Sequence, residues 1–134
     1  MKKYVFLIIG IAIVSLCVVG CFGIKSSSGN NFKANVDDNI IKLTCTGAAK
    51  GDTASAYIVL EEDEELVIHT NLEKLEKVNV KVYPKGHSKS DQPLVDLDGY
   101  GVNPYSYPLD PGTYEVVFTA LHDDLTGSIE VSVE

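Results

Sequence analysis

Ile129-Glu130-Val131-Ser132-Val133-Glu134 sets an apolar residue at every second position and a polar one between. Successive side chains of an extended chain point to opposite faces, so Ile129, Val131 and Val133 share one side of a strand, and Glu130, Ser132 and Glu134 share the other. This is a strand with one dry face and one wet face. Just before it, Asp123-Asp124-Leu125-Thr126-Gly127 has the composition of a turn. Earlier still, Tyr114, Val116, Phe118 and Ala120 again fall on one face, after the tight turn Asp110-Pro111-Gly112.

The same period of two continues toward the N-terminus. Val78, Val80 and Val82 form a strand closed by Pro84-Lys85-Gly86, and Leu66-Val67-Ile68-His69-Thr70 another. Ala54, Ala56, Ile58 and Leu60 line one face of a strand whose other face shows Ser55, Tyr57 and Val59; Ile41, Leu43 and Cys45 alternate with Lys42 and Thr44. Leu94 to Leu97 reads as a short strand, and Tyr105 to Leu109 as an edge strand, because Pro104 and Pro108 cannot donate to a ladder. Leu72 and Leu75 have helical spacing, but Asn71 to Lys77 is too short to stand as a helix and is read as a connection with at most one turn. The count is about eight short strands and no convincing helix. The expected fold is therefore all-β, an antiparallel two-sheet β-sandwich of jelly-roll-like kind over residues 40–134.

The N-terminus is of a different nature. Lys2 and Lys3 precede an uncharged run from Tyr4 to Val19, and Gly20 stands immediately before Cys21, the order of a secretory signal with a processing site. Val18-Val19-Gly20-Cys21 resembles the lipobox of bacterial lipoproteins, which implies cleavage before Cys21 and attachment of lipid to its sulfur. Residues 1–20 are then a lipoprotein signal peptide, and 21–39, rich in Ser, Gly and Asn, a lipidated, flexible tether. The resemblance implies a protein held at the extracytoplasmic side of the cell membrane. An uncleaved membrane anchor is the alternative, since Tyr4 to Ile24 is about long enough to span a bilayer.

Without its first twenty residues the chain holds nine lysines, no arginine and nineteen carboxylates, a formal charge of −10. Nucleic acid is excluded as a partner for such a surface. Of three cysteines only Cys45 falls in the domain, so no internal disulfide is possible, and its strand position makes it a small buried hydrophobe.

Leu60 to Ile68, Val78 to Gly86, Gly112-Thr-Tyr-Glu-Val116 and Gly127-Ser-Ile-Glu-Val131 together resemble the bacterial pre-peptidase C-terminal domain, and the small uncharacterised Gram-positive lipoproteins that share its pattern. The resemblance implies a β-sandwich accessory module without catalysis, and transfers no site residue. Asp110-Pro-Gly-Thr-Tyr114 also resembles the tyrosine corner of sandwich domains, in which the phenol bonds back to the preceding turn.

No nucleophile stands in a catalytic motif. His69, His87 and His122 sit singly, and as a Zn²⁺ or Cu²⁺ triad they would have to meet in space. Asp96 and Asp98, in Asp96-Leu-Asp98-Gly99, begin like a calcium loop but lack its closing glutamate. The acidic block Glu61 to Glu65 is read as a solvated hairpin connection. Tyr100, Tyr105 and Tyr107 lie within eight residues of Gly- and Pro-rich chain and form the candidate binding surface, against the reading that one or two belong to the core. The expectation is a non-enzymatic binding module without cofactor, its partner an envelope protein or a cell-wall glycan; the alternative is a metal-binding envelope protein. If the corner forms, Tyr114→Phe lowers stability by about 1 kcal/mol, the worth of one hydrogen bond. Urea denaturation of wild type and variant measures it.

Overall fold

Alternation along the chain becomes ten antiparallel strands in a computed structural model that describes residues 24–27, 31–73 and 76–134. They are β1 (Ile24–Ser27), β2 (Phe32–Asp37), β3 (Ile40–Ala48), β4 (Thr53–Leu60), β5 (Glu65–Leu72), β6 (Lys77–Pro84), β7 (Val95–Tyr100), β8 (Val102–Pro108), β9 (Gly112–Ala120) and β10 (Leu125–Val133). The first sheet has the order β1-β4-β9-β6-β7 and the second β2-β3-β10-β5-β8. Without β1 and β2, eight strands interleave four and four, the strand order of a jelly roll. All eight strands read from the sequence are present.

β1 and β2 are the correction. The stretch read as a flexible tether contains both, because Phe32, Ala34 and Val36 already have the period of two. Phe32 pairs with Cys45, Ala34 with Leu43 and Val36 with Ile41, and Phe32 and Ala34 are fully buried. Their apolar face outweighs the polar composition around them, and the folded domain begins before residue 40. The backbone of β1 pairs Ile24 with Ala56 and Ser27 with Ala54. The proposed signal peptide, Cys21, and positions 74 and 75 of the connection between β5 and β6 lie outside the described residues.

The core fills the space between the sheets. Ala54, Ala56, Ile58, Val78, Val80, Val82, Val116 and Phe118 face it from the first sheet; Ile41, Leu43, Leu66, Ile68, Leu125, Ile129 and Val131 face it from the second. Cys45 is 1 % exposed as expected, and burial, with Glu76 adding, pushes its thiol from 9.0 up to about 12. At neutral pH it is an inert thiol.

Two turns fix the geometry. Asp38 and Asn39 both have positive φ, 53° and 57°, the pair of left-handed residues that a two-residue hairpin turn requires. Asn39 then exchanges hydrogen bonds with the backbone of Val59, donating from Nδ2 at 2.8 Å and accepting on Oδ1 at 3.0 Å. An asparagine in the second sheet thereby acts as a rung for a strand of the first. Tyr114 donates its phenol to the carbonyl of Asp110, so the tyrosine corner is formed. Gly127 is obligatory in another way: with φ at 140°, an added Cβ would lie 2.4 Å from the carbonyl oxygen of Asn71.

Because β2 belongs to the core, Phe32→Ala is expected to cost about 3–5 kcal/mol. An unchanged denaturation midpoint would return residues 32–37 to a tether.

Candidate functional site

The inward face of each strand is spoken for by the core, so any site must lie on an outward face, in a loop or at an edge. On the outward face of the first sheet the register sets Glu115 of β9 directly between Tyr57 of β4 and Tyr83 of β6. The next row holds Ser55, Val117, Lys81 and Asp96, and the one after it Thr53, Thr119, Asn79 and Asp98. Three polar residues of this solvent side are nearly inaccessible: Ser55 is 3 % exposed, Glu115 4 % and Asn79 8 %.

The turn after β6 explains how Glu115 is covered. His87 N donates to Pro84 O at 3.2 Å, and Gly86 supplies the positive φ of 87° that lets the chain double back. The His87 ring then stacks on Tyr83, centroids 4.0 Å apart and planes 12° from parallel. His87 Nε2 lies 2.7 Å from Glu115 Oε1, and Nδ1 lies 3.1 Å from the carbonyl oxygen of Ser88. The Ser88 carbonyl only accepts, so Nδ1 carries its proton and donates. His87 and Glu115 are joined through Nε2 by a short bond, with side chains only 16 % and 6 % exposed. On the other flank, Lys85 Nζ stands 5.7 Å from the centroid of Tyr57. Two aromatic rings, a carboxylate, an imidazole and an ammonium thus share one patch, held by mutual contacts.

Both ring nitrogens of His87 are engaged, so neither is free to deprotonate a nucleophile. The nearby hydroxyls of Ser88 and Ser90 bond each other at 3.0 Å.

The residues singled out from sequence are distributed otherwise. Tyr100, 48 % exposed, ends β7 in the first sheet, whereas Tyr105 and Tyr107 lie on β8 in the second and pack half-buried against the core. Burial, and then Tyr105, push the Tyr107 phenol above its ordinary range. The three rings do not make one surface. The histidines also stand apart: His69 on the second sheet, 4.0 Å from Glu134, His87 on the first, and His122 exposed in the turn before β10. Among the described residues no three His, Cys, Asp or Glu side chains come together to hold a metal ion, so the histidine triad of the alternative reading does not form. Asp96 and Asp98 do converge, on the amide of Asn79.

Sequence reading missed Tyr83, Glu115 and the pairing of His87. Tyr57 and Tyr83 were visible as outward positions of their strands, but the row that unites them depends on registers between distant segments.

No protein-family model matches the sequence, and no curated protein matches it. Among solved structures, one described under "CBM4 structure and function" is similar over 80% of this chain and 73% of its own, at 11% identity and a TM-score of 0.41. The low-affinity xylan-binding module CBM86 from Roseburia intestinalis is similar over 84% and 89%, at 13% identity and 0.41. The capsular polysaccharide assembling protein CapF from Staphylococcus aureus is similar over 78% of this chain and 31% of that one, at 12% identity and 0.34. No residue of the patch is carried over from any of them.

The His87–Glu115 bond makes its own prediction. His87→Ala should destabilise the protein by about 1–3 kcal/mol, as leaving a buried hydrogen-bond partner unsatisfied does. Denaturation at pH 7 checks this, and a change below 0.5 kcal/mol, the size of an ordinary surface substitution, would leave the pair without structural weight.

Proposed function

We propose that the chain is a lipid-anchored, extracytoplasmic binding module without catalytic activity, and that it takes a cell-wall glycan on the outward face of its first sheet. The observation that carries the reading is Glu115, 4 % exposed on a solvent-side face and flanked by Tyr57 and Tyr83. A sugar ring offers C–H faces to aromatic rings and hydroxyls to charged groups, and the patch supplies the rings of Tyr57 and Tyr83 and the ammonium of Lys85. Because His87, Glu115 and Tyr83 already hold one another, little side-chain freedom is lost on binding. The formal charge of −10 beyond residue 20 and the lack of arginine argue against a polyanionic ligand.

Anchoring rests on Val18-Val19-Gly20-Cys21 and on the chemistry of its cysteine. Two or more acyl chains, at ~0.8 kcal/mol per buried CH₂, hold a protein on a bilayer durably. Cys21 is three residues before β1, a span of at most roughly 11 Å of extended chain. Lipid on Cys21 would hold the edge of the first sheet close to the membrane.

Two measurements test the two halves separately. Intact mass after membrane extraction should correspond to a chain starting at a lipid-modified Cys21, and an unmodified chain starting at Met1 rejects the anchor. In sedimentation with isolated cell wall, the full chain in detergent should be retained, and Tyr57→Ala and Tyr83→Ala should each weaken retention about tenfold or more, as loss of an aromatic anchor does. Retention unchanged in both variants removes the patch from the binding surface, and loss only in Tyr100→Ala moves that surface to the end of β7.

A further inference from the structure

We propose that the outward face of the second sheet holds a site for a small zwitterion of the amino-acid type, carrying an ammonium and a carboxylate on a short aliphatic skeleton. A cleft of about 290 Å³ opens there, lined by Asn35, Asp37, Ile40, Lys42 and Glu130. Three adjacent strands supply them. In the ladder Asn35 of edge strand β2 stands opposite Lys42 of β3, and Lys42 in turn stands opposite Glu130 of β10. Two residues along, Asp37 pairs with Ile40. Alternation turns all five outward, because Val36, Ile41 and Val131 beside them pack into the core.

Besides the cleft itself, the state of its side chains points to a ligand. Among the described residues, none of the side chains of Asn35, Asp37, Lys42 and Glu130 makes a hydrogen bond or ion pair, although Lys42 and Glu130 are direct cross-strand neighbours. Their binding capacity is unspent, in contrast with His87 and Glu115 of the first sheet, which hold each other. Ile40 sets a half-buried aliphatic side chain among them. The donor set then selects the ligand. Two carboxylates against one ammonium leave the lining an excess negative charge, so the ligand brings a cation. Lys42 Nζ and Asn35 Nδ2 are donors, so it also brings an acceptor, best an anionic one. A bare metal ion would face those donors unfavourably, and a neutral sugar would find no ring to stack on, since no aromatic side chain lines the cleft. A molecule with an ammonium for Asp37 or Glu130, a carboxylate for Lys42 and Asn35, and a small apolar group for Ile40 satisfies all five. The volume is close to the lower limit of small-molecule sites, roughly 300 Å³, which keeps the ligand small. Asn35, Asp37 and Lys42 are exposed, so their contacts are made in high dielectric and the affinity is modest.

The site lies on the opposite sheet from Glu115 and does not rest on the glycan reading. The test is an NMR titration of the full chain in detergent with alanylalanine at low salt, read from the backbone amides of Lys42 and Glu130. A Kd of about 1 mM is expected, the strength of a few exposed charge contacts. N-acetyl-alanylalanine, which lacks the ammonium, and alanylalanine amide, which lacks the carboxylate, should each bind about fivefold more weakly. Glu130→Gln and Lys42→Met should each weaken alanylalanine by a similar factor of about five. No saturable shift at about 20 mM dipeptide, well above the expected Kd, overturns the site. Equal binding by Lys42→Met/Glu130→Gln does so too, by placing the ligand elsewhere. Equal binding of either blocked dipeptide overturns the zwitterion, because one charge alone would then be recognised. The blocked dipeptides need no variant, so the proposal can fail on them even where a substitution disturbs the fold.

Discussion

The register of β9 is the constraint on which the rest of the molecule depends. β9 is paired on both sides, with β4 and with β6, and its inward residues Tyr114, Val116 and Phe118 meet Ile58, Ala56 and Ala54 on one side and Val82 and Val80 on the other. A slip of one residue would turn Glu115, Val117 and Thr119 into the core and bring the aromatic face out to water. The tyrosine corner guards against it. Tyr114 is tied to the carbonyl of Asp110, so the turn that feeds β9 is fixed to the strand it begins. Among the described residues Cys45 is a free, buried thiol, so apolar registration of this kind, not a cross-link, carries the stability there.

The same register builds the outward face. Because Tyr114 and Val116 must point in, Glu115 must point out, between Tyr57 and Tyr83. Core and patch are two sides of one alternation. What makes Glu115 unlike an ordinary surface glutamate is the loop after β6, folded back at Gly86 so that His87 covers it. Burying these polar groups on a solvent-side face costs desolvation, which the short His87–Glu115 bond and the stacking of His87 on Tyr83 offset.

How much of this was legible in the sequence follows from the range of the interactions concerned. Each of the eight strands of the roll has its alternation written locally, and Ile129, Val131 and Val133, or Val78, Val80 and Val82, could be placed from their own neighbours. β2 was equally local, with Phe32, Ala34 and Val36 in step, but it was masked by the Ser- and Asn-rich composition around it. The patch was not legible. Glu115, Tyr57 and His87 are brought together only by ladders and a turn that no single stretch contains. Tyr100, Tyr105 and Tyr107 show the converse: closeness in sequence suggested one surface, yet the chain changes sheet at Gly101 and separates the first ring from the other two. The corner at Tyr114 was readable because its partner is only four residues away.

The position of β10 sets an order of events in assembly. β10 lies between β3 and β5, whose residues precede it by much of the length of the domain. A chain emerging N-terminus first, from a ribosome or a membrane pore, has β3 and β5 available long before the strand that joins them. Until then the second sheet is two separate ribbons, each with a bare row of backbone donors and acceptors. Closure is therefore late and all at once, and a chain cut short before Leu125 would offer those two open edges to any neighbouring strand.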